Sequence, residues 1–107
     1  MIKNQTQIEY KINGKRLEIS VVGEIDHHSC AKLRSEADEL IKNNKTPVVA
    51  LNLSGVGFMD SSGLGFIMGR CALVKRIGGE LILKSPNESV KKICRLAGLE
   101  RIVKIEK

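Results

Sequence analysis

The stretch that decides the fold is Val48-Val49-Ala50-Leu51-Asn52-Leu53, followed shortly by Phe58-Met59-Asp60-Ser61-Ser62-Gly63-Leu64-Gly65. Its first part is a nearly continuous apolar run, which is typical of an interior strand in a parallel sheet. In its second part, the Asp and Ser residues favour a helix N-terminus and the glycine tolerates a tight turn. Because a helix N-terminus has unpaired N–H groups and partial positive charge, this turn can hold an anion. A serine here can cap the helix, act as a nucleophile or receive a phosphate.

Patterns on both sides of this stretch predict the other elements. Before it, we expect strands over Ile8–Ile12 and Leu17–Val21, joined by an Asn13-Gly14 turn, and then a helix with apolar positions from Cys30 to Ile41. After the strand over 48–53, we expect a helix from about Ser62 to Ile77 and a strand over Leu81–Leu83. The chain then continues with a helix opened by Ser85-Pro86-Asn87-Glu88 and a strand over Ile102–Ile105. Ser85 is the expected N-cap of the third helix, with Pro86 at its first position. Right-handed crossovers make the later strands parallel, beside an antiparallel hairpin. The predicted fold class is therefore α/β, with ββαβαβαβ order, a mixed sheet and packed helices.

Length and composition narrow the class of protein. The 107 residues are expected to form one domain, residues 1–107, and 42% hydrophobic with 28% charged residues fits a globular protein. No apolar run is long enough to span a membrane, and Met1–Gln7 is too polar for a secretory signal. The three cysteines are far apart among apolar neighbours, which favours reduced core residues of a cytoplasmic protein.

The net charge of +6 is unevenly distributed. Residues 1–69 hold eight basic and eight acidic side chains, whereas residues 70–107 hold ten basic and four acidic ones. A basic face can meet nucleic acid or an acidic protein. With one Tyr, two Phe and no Trp, the aromatic platforms for single strands are missing, and no nucleic-acid motif accompanies the charge. We therefore predict no direct binding of nucleic acid.

The second helix leaves two interpretations open. One apolar stripe holds Leu64, Ile67, Met68, Cys71 and Ala72, and a second holds Phe66, Leu73 and Ile77, with Arg70 between them. Gly65 and Gly69 each cost about 1 kcal/mol of helix stability relative to Ala. Either the helix is buried on two sides within its own domain, or part of it is kept free for a partner.

Catalytic chemistry at the serines has weak support in the sequence. Neither Ser61 nor Ser62 has the two flanking glycines of a nucleophile elbow. His27 and His28 are the available bases for a small serine hydrolase, the alternative function, but Asp26 and Ser29 beside them also fit a plain helix start. The ligand spacings of a metal site are missing, as are nucleotide-binding motifs.

At these residues the sequence resembles the STAS domain family, and within it the sporulation branch of the anti-sigma factor antagonists. The resemblance covers residues 8–106. It rests on Gly23-Glu24-Ile25-Asp26-His27-His28, Leu51-Asn52-Leu53, the segment from Phe58 to Gly65, Gly69-Arg70 and Gly78-Gly79-Glu80. The fold of that family agrees with the order predicted above.

The resemblance implies a binding protein that is not an enzyme and needs no cofactor. Its partners would be an anti-sigma factor that is also a serine kinase, and a serine phosphatase. The kinase would phosphorylate the first serine after the aspartate, Ser61, and thereby end binding and sigma factor release. The implied partner surface consists of Asp26, Asp60, Ser61, Ser62, Gly63, Leu64 and Phe66.

Elementary electrostatics supports such a switch. A phosphate adds roughly −1.5 to −2 charges at pH 7. The N-terminus of the helix would partly stabilise this charge, so that the fold need not change. Asp60 adds like-charge repulsion, and a partner shaped for a hydroxyl would bury an unpaired dianion. We therefore expect a switch by local charge and bulk, with little refolding.

Overall fold

A computed structural model describes residues 6–107 of the chain. Its elements are β1 (Gln7–Asn13), β2 (Arg16–Val22), α1 (Cys30–Asn44), β3 (Val48–Gly55), α2 (Ser61–Arg76), β4 (Glu80–Lys84), α3 (Glu88–Leu96), a 3₁₀ turn (Leu99–Arg101) and β5 (Lys104–Glu106). The predicted ββαβαβαβ order is confirmed. The predicted domain span and the interpretation of Met1–Gln7 both include residues 1–5, which lie outside the described residues.

The five strands form one mixed sheet in the order β1-β2-β3-β4-β5. β1 and β2 are antiparallel and every later pair is parallel, as predicted. Because each parallel strand is added on the same side of the previous one, right-handed crossovers carry all three helices to the same face of the sheet. One core cluster accordingly unites buried residues of α1, α2 and α3 with those of the central strands.

The helix-bearing face explains the apolar pattern of the strands. Alternate residues of a strand point to the same face, and on this face the side chains of β2, β3 and β4 are at most 3% exposed: Leu17, Ile19, Val21, Val49, Leu51, Leu53, Leu81 and Leu83. At about 25 cal/mol per Å² of apolar surface removed from water, such burial is the main favourable contribution to folding.

The opposite face of the sheet bears no helix and is polar. Lys84 Nζ lies 2.9 Å from Glu18 Oε1, and Arg16 Nη2 lies 2.9 Å from Glu106 Oε1. Hydrogen bonds from Lys84 and Asn52 hold the pKa of Glu18 below its ordinary value. The function predicted for this protein uses none of these groups.

Several predicted boundaries are wrong by one or two residues. The hairpin turn is Gly14-Lys15 instead of Asn13-Gly14, since Asn13 pairs with Arg16 and only Gly14 has positive φ (+64°). A positive φ at the first central residue alone is typical of a type II′ turn with Gly in that place.

The start of α3 also differs from the prediction. Its N-cap is Asn87, whose side chain accepts a hydrogen bond from Val90 N at 2.8 Å, and not Ser85, which has a left-handed φ of +56°. Pro86 therefore precedes the helix. The last strand begins at Lys104, because the 3₁₀ turn takes up part of the segment assigned to it.

Candidate functional site

The predicted turn lies at the carboxyl end of β3, where α2 begins. Asp60 is the N-cap: its Oδ1 accepts a hydrogen bond from Ser62 N at 2.8 Å, and its carbonyl accepts one from Gly63 N at 2.9 Å. Ser61 is the first helical residue and is exposed, whereas Ser62 is half-buried. The arrangement leaves the Ser61 hydroxyl accessible to another protein.

Asp60 changes how a charge on Ser61 would be held. We expected the amides of the helix N-terminus to stabilise an added phosphate. Two of the first three amides of α2, those of Ser62 and Gly63, already donate to Asp60. A phosphate on Ser61 would therefore sit beside a carboxylate, with these two donors occupied.

A second segment, the loop between β2 and α1, lies directly beside this turn. Ile25 and Met59 form a parallel bridge in which Ile25 N donates to Phe58 O and Asp60 N donates to Ile25 O, both at 3.1 Å. The residues that follow them, Asp26 and Asp60, are therefore brought together from distant parts of the sequence. A surface that includes both carboxylates, as the predicted partner surface does, is compatible with this fold.

Asp26 organises its own loop. Its Oδ1 accepts hydrogen bonds from His28 N and Ser29 N, both at 2.9 Å, and Ser29 Oγ accepts one from Asp26 N at 3.1 Å. The hydrogen bond from Ser29 N is the main reason why the pKa of Asp26 lies below its ordinary value. Asp26 therefore stays negatively charged at neutral pH, next to Asp60.

Two further side chains anchor the site, in roles that the sequence does not predict. Asn87 Nδ2 donates to the carbonyls of Val56 and Gly57 at 3.2 and 3.3 Å, which ties the loop after β3 to the start of α3. Cys30 Sγ lies 3.5 Å from Ser62 O, at the start of α1. Only the tertiary fold brings these residues to the turn, so no local pattern could have indicated them.

Two residues of the predicted partner surface lie inside the domain. Gly63 is buried, and a Cβ built on it would lie 2.7 Å from Met59 Sδ, so this glycine permits close packing beneath the turn. Phe66 is 1% exposed, so in this conformation its side chain lies beneath the predicted partner surface. Leu64 is half-buried.

Phe58, which directly precedes Met59, exposes its ring at the site, at 49%. Phe58 and Met59 are adjacent in extended backbone, so one points inward and the other outward. The sequence could not decide between them, because both are large and apolar.

The outer side of α2 differs from both predicted stripes. Met68 is 49% exposed, and Gly65 and Ala72 are exposed with it, whereas Ile67 and Cys71 are buried. A Cβ built on Gly65 or Gly69 would meet nothing within 4 Å among the described residues. Packing within the domain therefore does not explain these two glycines, and the second interpretation of the helix, a part kept free for a partner, gains support.

Arg70 explains why a charged residue separates the apolar positions of α2. It is 5% exposed, its Nε lies 2.7 Å from Asp38 Oδ1 of α1, and its guanidinium lies 5.3 Å from the centre of the Phe66 ring. Burial lowers the pKa of Arg70, and Asp38 opposes this shift. The pair joins the two helices that carry the site.

The hydrolase alternative gains no support from this geometry. His27 and His28 are exposed and pack against each other edge to face, with ring centroids 5.9 Å apart. Within residues 6–107, neither histidine is hydrogen-bonded to Ser61, and no group of three His, Cys, Asp or Glu side chains is placed to hold a metal. In that same range, no helix has both the length and the apolar character needed to cross a membrane.

Comparisons with known proteins agree with this architecture. The STAS domain model matches residues 7–107. The anti-sigma F factor antagonist of Paenibacillus polymyxa is 36% identical over 99 residues, which cover 92% of this chain and 85% of that protein. The structure of the anti-sigma factor antagonist SpoIIAA in its unphosphorylated form aligns with a TM-score of 0.78 at 27% identity, over 95% of this chain and 88% of that one. The phosphorylated form of the Bacillus cell fate determinant SpoIIAA aligns with a TM-score of 0.71 at 26% identity, over 95% and 91%.

Proposed function

This chain belongs to the STAS domain family and is similar to its anti-sigma factor antagonists, and from this premise we propose how it works. In its unphosphorylated form it binds an anti-sigma factor that is also a serine kinase, and so releases a sigma factor for transcription during sporulation. Phosphorylation of Ser61 ends binding, and a serine phosphatase restores it. The protein acts in the cytoplasm as a binding module spanning residues 1–107, and not as an enzyme.

The observation that carries the proposal is the exposed Ser61 hydroxyl at the first position of α2, flanked by Asp60. A kinase needs a reachable hydroxyl, and an antagonist needs one that its partner covers. Both conditions are met by a small polar side chain at the rim of an otherwise preformed surface.

The partner surface that we propose extends beyond Ser61 in two directions. Asp26 and Asp60 form its acidic end, and Phe58 with the exposed side of α2, through Gly65, Met68 and Gly69, forms its apolar part. Because the two glycines leave space above the helix, a partner backbone can approach closely there. Phe66 supports this surface from beneath and does not contact the partner.

Local charge explains how phosphorylation would stop binding. The added dianion would lie beside the carboxylate of Asp60, while the amides of Ser62 and Gly63 are occupied. Burying it in an interface shaped for a hydroxyl costs several kcal/mol. Since each 1.4 kcal/mol is a tenfold change in affinity, this is enough to abolish micromolar binding.

Mass spectrometry after incubation with candidate anti-sigma factor kinases and ATP tests site and partner together. We expect one phosphate on Ser61 in the parent and in Ser62→Ala, and none in Ser61→Ala, which should still bind the kinase. Phosphate on Ser62 in the parent would move the site, and no phosphate with any such kinase would contradict the switch. Labelling by a serine-reactive fluorophosphonate would instead indicate the hydrolase.

A further inference from the structure

The outer edge of β1 is a pairing surface that the proposed function leaves unused. β1 is the first strand of the sheet, and no strand within residues 6–107 pairs with its outer side. Tyr10 is 58% and Ile12 51% exposed, although their partners across the hairpin, Ile19 and Leu17, are fully buried. An unpaired edge with exposed apolar side chains is a template for another strand.

The hairpin fixes which backbone groups face this edge. A two-residue turn is closed by a hydrogen-bonded pair, here Asn13 with Arg16, and such pairs alternate with non-bonded pairs along an antiparallel ladder. Residues in the non-bonded pairs direct their N–H and C=O groups away from β2. These residues are Ile8, Tyr10 and Ile12, so the outward donors and acceptors belong to the apolar residues.

The sequence of β1, Gln7-Ile8-Glu9-Tyr10-Lys11-Ile12-Asn13, complements itself when it is read in the opposite direction. An antiparallel pair centred on Tyr10 places Tyr10 opposite Tyr10, Ile8 opposite Ile12, and Glu9 opposite Lys11. The ends place Gln7 opposite Asn13. Opposite charges and apolar pairs directly across two strands each stabilise a sheet.

We propose that β1 pairs with the β1 of a second copy of this chain, forming a two-fold symmetric dimer with a continuous ten-stranded sheet. The symmetry axis passes between the two Tyr10 residues at right angles to the sheet, so the helices of both copies lie on the same face. The outward groups of Ile8, Tyr10 and Ile12 supply roughly six backbone hydrogen bonds between the copies. The contact is isologous, as is usual for soluble dimers.

The dimer is independent of the switch. β1 and β2 run in opposite directions, and the middle of β1 lies away from the end of the sheet that carries Asp26 and Asp60. In the dimer the two switch sites point in opposite directions along the strands. Because the buried area of one edge is small, we expect a weak dimer that forms as the concentration rises from micromolar to millimolar.

Sedimentation velocity of the full chain across that range tests the proposal. The parent should shift from monomer to dimer. Glu9→Lys places like charges opposite each other at two points and should weaken the dimer by about tenfold or more. Lys11→Glu should weaken the dimer to a similar extent, because it places negative charges opposite each other at the same two points. Ser61→Asp should leave the dimer unchanged, which separates failure of this proposal from failure of the switch.

An equimolar mixture of Glu9→Lys and Lys11→Glu provides the most specific test of the proposed pairing. The Glu9→Lys chain has a lysine at both positions 9 and 11, and the Lys11→Glu chain has a glutamate at both. Every pair across the two strands at these positions would therefore again join opposite charges, so a heterodimer should form where neither variant dimerises alone. A stability defect cannot produce this rescue. A parent that stays monomeric throughout, a dimer indifferent to Glu9→Lys, or a mixture without rescue would each overturn the proposal.

Discussion

The first turns of α2 and α3 are built alike, and we propose that they are used differently. Each follows the carboxyl end of a parallel strand, and each is capped by an Asp or Asn side chain that accepts a backbone N–H at 2.8 Å. At α3 the amide of Asn87 also donates to the preceding loop, and Glu88 supplies a negative charge in the first turn. At α2 the carboxylate of Asp60 has no proton to donate, the first turn has no acidic residue, and Ser61 stands exposed.

This difference supports the proposal that α2 begins at a functional site, whereas α3 begins at a purely structural one. Capping satisfies the helix in both places, so the cap alone indicates nothing about function. The NH₂ group of Asn87 ties the start of α3 to the loop after β3, whereas the carboxylate of Asp60 places a negative charge beside an accessible hydroxyl. The surroundings of the cap, and not the cap itself, therefore support the proposed site.

The largest expected effect comes from placing a charge at each helix start. Ser61→Asp should weaken binding to the anti-sigma factor about 100-fold or more, because the carboxylate is buried unpaired beside Asp60. Ser89→Asp, at the exposed serine of α3, is the matched control and should leave affinity within about twofold. Isothermal titration calorimetry measures both. Equal losses would mean that total charge, and not this position, governs binding.

Exchanging the two caps gives the next largest effect. Asn87→Asp keeps the acceptor but loses the donor to Val56 and Gly57, and should lower the free energy of unfolding by about 1–2 kcal/mol. Asp60→Asn keeps a side-chain oxygen that accepts the hydrogen bond from Ser62 N, and should lower the free energy of unfolding by less than about 0.5 kcal/mol. Urea denaturation compares them. A cost for Asp60→Asn as large as that for Asn87→Asp would remove the distinction between the two caps.

Filling the open side of α2 should separate stability from binding. Gly65→Ala and Gly69→Ala should each raise the free energy of unfolding by about 1 kcal/mol, because the added methyl meets open space and Ala favours helix. Together they should weaken partner binding about tenfold, since the partner loses its close approach. Leu96→Ala, at a position 78% exposed on α3, is the control and should change binding little. Unchanged or tighter binding by the glycine variants would contradict the proposed surface.

The smallest expected effect is on the pH dependence of the free energy of unfolding. The pKa of Asp26 is lowered by folding, so its contribution to stability is present above the ordinary value of 3.8 and is lost as the pH falls through the folded value. Asp26→Asn should therefore differ from the parent near neutral pH and converge with it in acid. The cap of α3 is an uncharged amide, so Asn87→Ala should show no such convergence. Urea denaturation over a pH series measures this, and a constant difference for Asp26→Asn would contradict it.

The elements of the fold follow from the sequence more fully than the details of the candidate site do. Periodicity predicted the element order and the crossovers, because the burial of one strand face and one helix side imposes a repeat on the chain. The capping pattern was less informative, because Ser85 and Asn87 are both good N-caps and the choice depends on the carbonyls of Val56 and Gly57, far away in sequence. The exposure of Phe58 and the burial of Phe66 could not be predicted for the same reason: both are apolar, and only tertiary packing decides which one is covered.

The occupied amides at the start of α2 have a consequence for signalling. Asp60 already accepts hydrogen bonds from Ser62 N and Gly63 N, two of the donors that could bind a phosphate. A phosphorylated Ser61 side chain would therefore remain exposed to solvent and would not be held against the fold. A phosphate exposed in this way is accessible to a phosphatase at any time. The lifetime of the phosphorylated state would then depend on the amount and turnover rate of the phosphatase, and the domain itself would not prolong it.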